Sequence, residues 1–452
     1  MRRQLLRQLY SAGWVLAVPL ALLYLLKRSL RQPEYRLHWG ERFGFCERPP
    51  DGGRPIWIHA VSVGETAAAA PLIRELAARY PAAPVLLTHA TPTGRATGQD
   101  LFRQLLGSRL RQCYLPYDLP FCVGRFLDVQ RPRFGLVMET EVWPNLMHAA
   151  SRRALPMAVV NARLSEKSLA RGLKYRSLIA PAVAAFDTVV AQSPGDSARM
   201  AQLARPADAI VGNLKFDQPV SEAARARGAQ WRGRFGPRAV VVAASTRDGE
   251  EAILLHGWRR LREAAVDSRR ALPLLLVVPR HPNRFDEVAS LIAQAAPDYR
   301  LLRRAALDQP AADIAGCDVL LGDSMGEMQS WYAAADVAIM GGSLLPYGSQ
   351  NLIEANALGC PVVLGPSVFN FEQAAQESIA AGASVQVADA DSAVAAALRI
   401  AHDGAVRAAM SQAAQAFTQA HRGATARTLA ALAPLLTRAM SDESAQEATR
   451  AG

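Results

Sequence analysis

The sequence predicts an α/β protein made of two doubly wound, Rossmann-like halves facing a cleft, preceded by an apolar amino-terminal helix. Three observations carry that prediction. The 452 residues, at roughly 150 per domain, are enough for two or three domains with large buried cores. Half of them are hydrophobic and 20% are charged, which excludes a disordered or collagen-like chain. Twice along the chain, short aliphatic or β-branched runs alternate with longer helical patterns, as expected of strands buried on both faces with crossover helices between them.

The amino terminus comes first. Residues 8–26 carry no charge and are mostly apolar, flanked by Arg2, Arg3 and Arg7 on one side and Lys27, Arg28 and Arg31 on the other. That length is marginal for crossing a bilayer. No small-residue cleavage site follows the apolar core, so a removed export signal is disfavoured. Cationic flanks at both ends give no crossing direction. Residues 1–31 therefore read as a monotopic or shallow anchor on the cytoplasmic face, with Trp14 and Tyr24 at headgroup level. A true span, or a helix packed wholly within the protein, is the alternative.

The first half, 32–217, contains apolar runs at 56–61, 84–88, 134–139, 156–161 and 187–192 that read as strands. The rhythm then breaks into a charged, Arg- and Gly-containing stretch, read as an interdomain linker over 218–237. A second series, 238–410, has runs at 239–245, 274–280, 318–323, 336–343 and 361–366. Residues 411–440 read as a helical segment, and the polar 441–452 as a flexible tail.

Lys plus Arg number 51 against 40 Asp plus Glu, a formal charge of +11. Only four of the cations are lysines: Lys27, Lys167, Lys174 and Lys215. The arginine excess is either compositional bias or a field that holds anionic partners such as phosphorylated lipid or nucleotides. Dispersed arginines without a recognised motif argue against nucleic-acid binding. The five cysteines are scattered and never spaced as CxxC, which disfavours a disulfide framework or structural zinc and fits a reducing compartment. His59 and His281 show no metal-ligand spacing and read as satisfied polar residues.

Parallel sheets place ligands beyond the carboxyl ends of their strands, so the turns closing the runs are the candidate sites. In HAVSVGET (59–66) a strand leads through a turn into a helix expected to open at Thr66. Gly64 there permits a close backbone approach or an unusual dihedral. Glu65 is placed to act as a base, or merely favours the helix amino terminus through its dipole. TPTG (91–94) ends the next strand similarly, to cap a helix or line an acceptor pocket. In METEVWPN (138–145), Glu139 and Glu141 point the same way if the strand stays extended. Such a pair raises one pKa or recruits a cation; the alternative is a surface strand end with Trp143 as packing. GNLKFD (212–217) carries Lys215, a compact ammonium in an otherwise Arg-rich chain. In the second half ASTRDGEE (244–251), VPRHPNRF (278–285), GDSMGEM (322–328) and 341–371 are turns entering helices, suited to a nucleotide phosphate; the alternative is that their glycines serve the fold alone. Arg280 adds a guanidinium, and Glu354 an acceptor for ribose hydroxyls. Neither GxxxxGK[ST] nor GxGxxG is present, which counts against ATPase and dehydrogenase readings.

Taken in order, SVGET, TPTG, YLPYDLP (114–120), METEVWPN, VNARLSEKS (160–168), GNLKFD, VPRHPNRF, GDSMGE and the 341–371 stretch closely resemble the bacterial 3-deoxy-D-manno-octulosonic acid (Kdo) transferases. Each motif is modest, but so many in register over about residues 35–371 are highly specific. The resemblance implies a GT-B glycosyltransferase fold and a membrane anchor. It also implies inverting transfer of Kdo from CMP-Kdo to a lipid A precursor (lipid IVA) in lipopolysaccharide biosynthesis, at the cytoplasmic leaflet of the inner membrane. No cofactor or metal is expected. By position, it makes Glu65 the proton acceptor and Glu139 and Lys215 transition-state stabilisers. Pro279 and Arg280, then Met325, Gly326 and Glu327, then Asn351, Leu352, Ile353 and Glu354 match the segments that hold CMP. Where the family commonly has a GGHN run, this chain has Gly348, Ser349, Gln350 and Asn351, with Tyr347 upstream; Gln350 cannot become cationic. Two other readings stand beside this one: a different GT-B enzyme using a UDP-sugar, glycosyltransferase or epimerase, and a non-catalytic nucleotide-binding or lipid scaffold.

Overall fold

All ten runs read as strands form strands, and each half closes into one parallel sheet. A computed structural model describes residues 2–30, 32–49, 52–107, 109–265 and 272–450. The first sheet contains β1 (Ile56–His59), β2 (Val85–His89), β3 (Leu110–Tyr114), β4 (Phe134–Met138), β5 (Met157–Ala162), β6 (Thr188–Ala191) and β7 (Ala209–Ile210) in the order β3-β2-β1-β4-β5-β6-β7. The second contains β8 (Val240–Thr246), β9 (Leu274–Pro279), β10 (Leu301–Arg303), β11 (Val319–Leu321), β12 (Val337–Met340), β13 (Val362–Leu364) and β14 (Ser384–Gln386), ordered β10-β11-β9-β8-β12-β13-β14. Side chains alternate across the first sheet: Ile56, Ile58, Val85 and Leu87 enter one core, and Trp57, Leu86 and Val137 the other. Both faces are thus covered by helices, which is why these strands read as unbroken apolar runs.

The chain divides into two compact units, one of residues up to Gln218 together with those from Gly423 onward, the other Pro219–Arg422. This grouping differs from the sequence reading at two places. The stretch read as a linker contains the helix Glu222–Phe235, which belongs to the second unit: buried Trp231 stacks on Trp331 with ring centroids 4.4 Å apart. The carboxyl-terminal helix Ala424–Arg450 is not a separate segment but part of the first unit; of the stretch read as a tail, residues 451–452 lie outside the described residues. Its Leu432, Leu435, Leu436 and Ala439 fill the core of the first unit. Asp217, the last residue of GNLKFD, starts that helix by accepting from the backbone N–H groups of Gly423 (2.7 Å) and Thr425 (2.5 Å), a cap supplied from far away in sequence.

The amino-terminal helix Arg2–Ser29 includes a stretch, Gln4–Ser29, long and apolar enough to cross a membrane. One stripe of it packs on the first unit. Trp14 lies against Tyr117 and Trp143, centroids 5.7 and 6.3 Å away, not free at a headgroup level, and Asn145 Nδ2 donates to Ser11 Oγ at 3.0 Å. Leu9, Val15, Leu16, Leu20 and Leu23 are exposed. Arg31, one of the flanking charges, lies outside the described residues. All five cysteines are free.

Candidate active site

In the first unit the strand order reverses between β1 and β4, and a parallel sheet opens a crevice at such a switch point. SVGET follows β1 and METE follows β4, so the two motifs flank it. Ser62 caps the helix Val63–Arg79, which begins three residues before Thr66. Its hydroxyl accepts from Glu65 N–H (3.4 Å) and donates to Glu65 Oε1 (2.9 Å), while Val61 N–H donates to Glu65 Oε2 (2.9 Å). This reciprocal cap bends the carboxylate back over the helix start. Burial, then the charge of Glu139, push the Glu65 carboxyl up from its ordinary value to about 7, against the pull of those two donors. Gly64 corrects an expectation: it has an ordinary helical conformation, and a Cβ added there would meet nothing within 4 Å. The space beside Glu65 is open. Thr91 caps the next helix, Pro92–Leu101, by accepting from Gly94 N–H (3.1 Å), and donates to Val61 O (3.2 Å). TPTG therefore braces the SVGET turn.

The extended conformation assumed for METE does not persist. β4 ends at Met138 and Glu139 takes a left-handed φ of 56°, unusual for a residue with a Cβ and of the kind concentrated at functional sites. The turn aims Glu139 at Lys215, whose Nζ lies 3.2 Å from Oε1. The cation that the acidic pair was expected to recruit is the lone lysine of GNLKFD. Asn213 Oδ1 accepts from Lys215 N–H (3.0 Å), and Asn161 Oδ1 accepts from Leu214 N–H (3.0 Å), fixing the loop that carries the ammonium. Glu141 remains within electrostatic reach: burial foremost, and then Glu139, raise its pKa. Beneath the site, burial lowers His59 to about 3 and His89 to about 4. Both rings are neutral. His59 Nδ1 meets Thr88 Oγ1 at 2.9 Å, but its Nε2 has no partner among the described residues.

In the second unit the order reverses between β8 and β12. In the GGSLL turn, expected to suit a phosphate, the N–H groups of Gly342 (2.6 Å), Leu344 (3.0 Å) and Leu345 (3.4 Å) are already taken by the carboxylate of Glu250, which also accepts from Arg247 N–H (2.8 Å). VPRHPNRF separates its two arginines by role. Arg284 forks onto buried Glu251 at 2.9 and 3.0 Å, whereas half-buried Arg280 meets no carboxylate among the described residues. Pro279, closing β9, pairs with Thr246 just after a shift of register between Ala244 and Thr246.

The remaining donor candidates are divided in the same way. Met325 is exposed and Gly326 adopts φ 77°, a left-handed turn suited to glycine. Glu327 is held by Arg304, both nitrogens at 2.7 Å, and by Arg227 at 3.2 Å, which lowers its pKa. Asn351 caps the short helix Leu352–Ala357, accepting from Ile353 N–H at 3.2 Å. Leu352 and Ile353 are buried in the core, so their side chains are unavailable to a ligand. Burial raises the pKa of Glu354. Among the described residues no group of three or more His, Cys, Asp or Glu side chains is arranged to hold a metal ion.

The family model described as 3-deoxy-D-manno-octulosonic-acid transferase (kdotransferase) matches residues 37–218. A curated 3-deoxy-D-manno-octulosonic acid transferase of Bordetella pertussis is 45% identical over 430 residues, 94% of this chain and 98% of that protein. The chain belongs to the Kdo transferase family. Its Haemophilus influenzae relative of the same name is 35% identical over 373 residues, covering 81% of this chain and 84% of that one. Among solved structures, S. aureus MnaA with UDP covers 85% of this chain and 97% of its own at 12% identity and a TM-score of 0.56. That likeness establishes the two-domain GT-B fold and nothing of the substrate.

Within this Kdo transferase, sequence reasoning missed three groups that hold the candidate turns of each unit: Ser62 and Asn161 in the first and Glu250 in the second. Ser62 had a readable signal, a serine three residues before a glutamate at a helix start. Asn161, the last residue but one of β5, has φ 54°, a conformation that asparagine tolerates better than most residues. Glu250 offered none, since its use depends on a turn 92 residues away.

Proposed function

We propose that this Kdo transferase moves Kdo from CMP-Kdo to a lipid A precursor, lipid IVA, with inversion at the anomeric carbon, as a step of lipopolysaccharide biosynthesis at the cytoplasmic face of the inner membrane. The observation that carries the proposal is the Glu65 carboxyl, poised near neutrality beside the Glu139–Lys215 pair. A base working near pH 7 is best matched to its task when its own pKa is close to 7. Glu65 takes the proton of a primary hydroxyl of the acylated glucosamine disaccharide. The hydroxyl oxygen forms its bond to the anomeric carbon of Kdo from the face opposite CMP, and the bond to the phosphate oxygen breaks. CMP leaves with the bonding electrons. Lys215, its charge balanced by Glu139, stabilises the negative charge of the transition state, and Arg280 that of the departing phosphate. No cofactor or metal is required by this scheme.

The test is incubation with CMP-Kdo and a tetraacylated lipid A precursor, with mass spectrometry of the lipid. Wild type adds the mass of Kdo. Glu65→Gln abolishes the product while CMP still raises the thermal midpoint. Near-normal turnover in that variant removes Glu65 from the role of base, and transfer from a UDP-sugar instead would replace the donor assignment.

A further inference from the structure

We infer that Arg247 and Arg280 form a two-guanidinium clamp for an anionic phosphate group of a nucleotide ligand, with Tyr347 holding Arg247 in place. The assignment of that ligand as the CMP moiety of the donor rests on the function proposed above; the clamp itself rests on the second unit alone. β8 and β9 lie side by side with Thr246 opposite Pro279, and Arg280 N–H donates to Thr246 O at 3.0 Å. Residues 247 and 280 therefore leave the sheet as neighbours. Arg247 does so from β8, at which the order reverses, and Arg280 from the adjacent β9; parallel sheets bind ligands at such a reversal.

Three arginines gather at this sheet end, and they differ in how their charge is met. Arg284 is neutralised by buried Glu251. Neither Arg247 nor Arg280 meets a carboxylate among the described residues, although both are half-buried. Arg280 feels the consequence: burial, and then the charge of Arg247, lower its pKa. Two like charges set together and partly desolvated are costly unless an anion joins them. The backbone N–H groups of Gly342, Leu344 and Arg247 are not free for it, since Glu250 already holds them. The guanidiniums are left to do the binding, and their fork geometry suits phosphate oxygens.

Tyr347 positions the second of them. Its ring lies 4.7 Å from the Arg247 guanidinium carbon, and its hydroxyl donates to Asp248 O at 3.1 Å. The ring thus fixes the side chain from one side while the hydroxyl fixes the turn that bears it. Tyr347 follows β12 and Arg247 follows β8, the two strands on either side of the reversal.

The experiment is titration of the full-length protein with CMP and with cytidine, which lacks the phosphate. Arg247→Ala is expected to weaken CMP by about tenfold to a hundredfold, the size of a lost charge-assisted contact, and to leave cytidine unchanged. Tyr347→Ala should weaken CMP in the same sense, and Tyr347→Phe, which keeps the ring, should restore most of it. Unchanged CMP affinity in Arg247→Ala overturns the clamp, as does an equal loss for CMP and cytidine, which would mark a structural role. Wild type that binds UDP in preference to CMP would contradict the donor assignment, and the clamp would then be judged by the same comparison of UDP with uridine. Wild type binding no nucleotide overturns both.

Discussion

At Glu65, burial and repulsion from Glu139 outweigh the two donors from Val61 and Ser62, and the carboxyl titrates near 7. Two predictions follow in opposite directions of pH. In the proposed role of base, Glu65 would work only when ionised, so kcat/KM should rise through an apparent pKa of about 7, measurable as the acid limb of a pH–rate profile. Glu139→Gln removes a repelling charge and frees Lys215, so the surviving activity of that variant should show its limb at lower pH. A limb that stays in place separates Glu139 from the titration. Stability runs the other way. A carboxyl whose pKa is higher folded than unfolded binds more protons in the native state between about 4.5 and 7, and stability falls as pH rises through that window. Glu65→Gln, which mimics the protonated form, should therefore match wild type in thermal midpoint near pH 4 and exceed it near pH 8. Glu65 itself was legible in the sequence because its motif joins a strand to a helix. The conformation of Glu139 was not: alternation along an extended strand says nothing about a residue that turns left-handed one position after the strand ends.

Among elements, legibility followed position in the sheet. The ten central strands are buried on both faces and read directly as apolar runs. The four that the sequence reading missed, β3, β7, β10 and β14, are the two edges of each sheet. Edge strands are short or polar: LRQCY, AI, LLR and SVQ, because one side needs no apolar neighbour and an exposed edge is safer blunted. The helix Glu222–Phe235 was hidden for a related reason. Its charged surface reads as a linker, and only Trp231 and Phe235 mark the buried stripe. The carboxyl-terminal helix was recognised as helical, but its partner could not be read from local pattern, since the cap comes from Asp217, 206 residues before Gly423. Asp217→Ala should cost about 1–2 kcal/mol, the usual worth of such a cap. For a unit of this size the thermal midpoint would fall by roughly 2–8 °C. The same variant should leave CMP affinity unchanged, because the second unit makes no use of Asp217. A midpoint within experimental error of wild type would show that the apolar contacts of Leu432, Leu435 and Leu436 hold the helix without the cap.

For the molecule as a whole, the unresolved choice in the sequence was whether the apolar amino terminus crosses a bilayer or lies along it. The helix is long enough to cross, yet Ser11 and Trp14, well inside it, touch Asn145, Tyr117 and Trp143 of the first unit. A helix threaded through a bilayer would carry those contacts, and the face of the first unit that makes them, into hydrocarbon. Packed on the unit along one stripe, with Leu9, Val15, Leu16, Leu20 and Leu23 facing outward, it is suited to lying in the interface with that leucine face in the lipid. This arrangement also places the anchor beside METEVWPN, since Trp143 is four residues beyond Glu139. A lipid-borne acceptor would then be delivered to the carboxylates by the surface that holds the enzyme. Leu16→Gln with Leu20→Gln should lower partition onto anionic vesicles by roughly a hundredfold or more, as two leucines are worth about 1.5–3 kcal/mol each when buried. Trp14→Ala keeps the leucine face, so vesicle binding and CMP affinity should persist while transfer to a vesicle-borne acceptor falls. If the leucine pair leaves partition unchanged, or if a label at residue 16 is protected from quenchers on both sides of the bilayer, the helix spans and the in-plane reading is wrong.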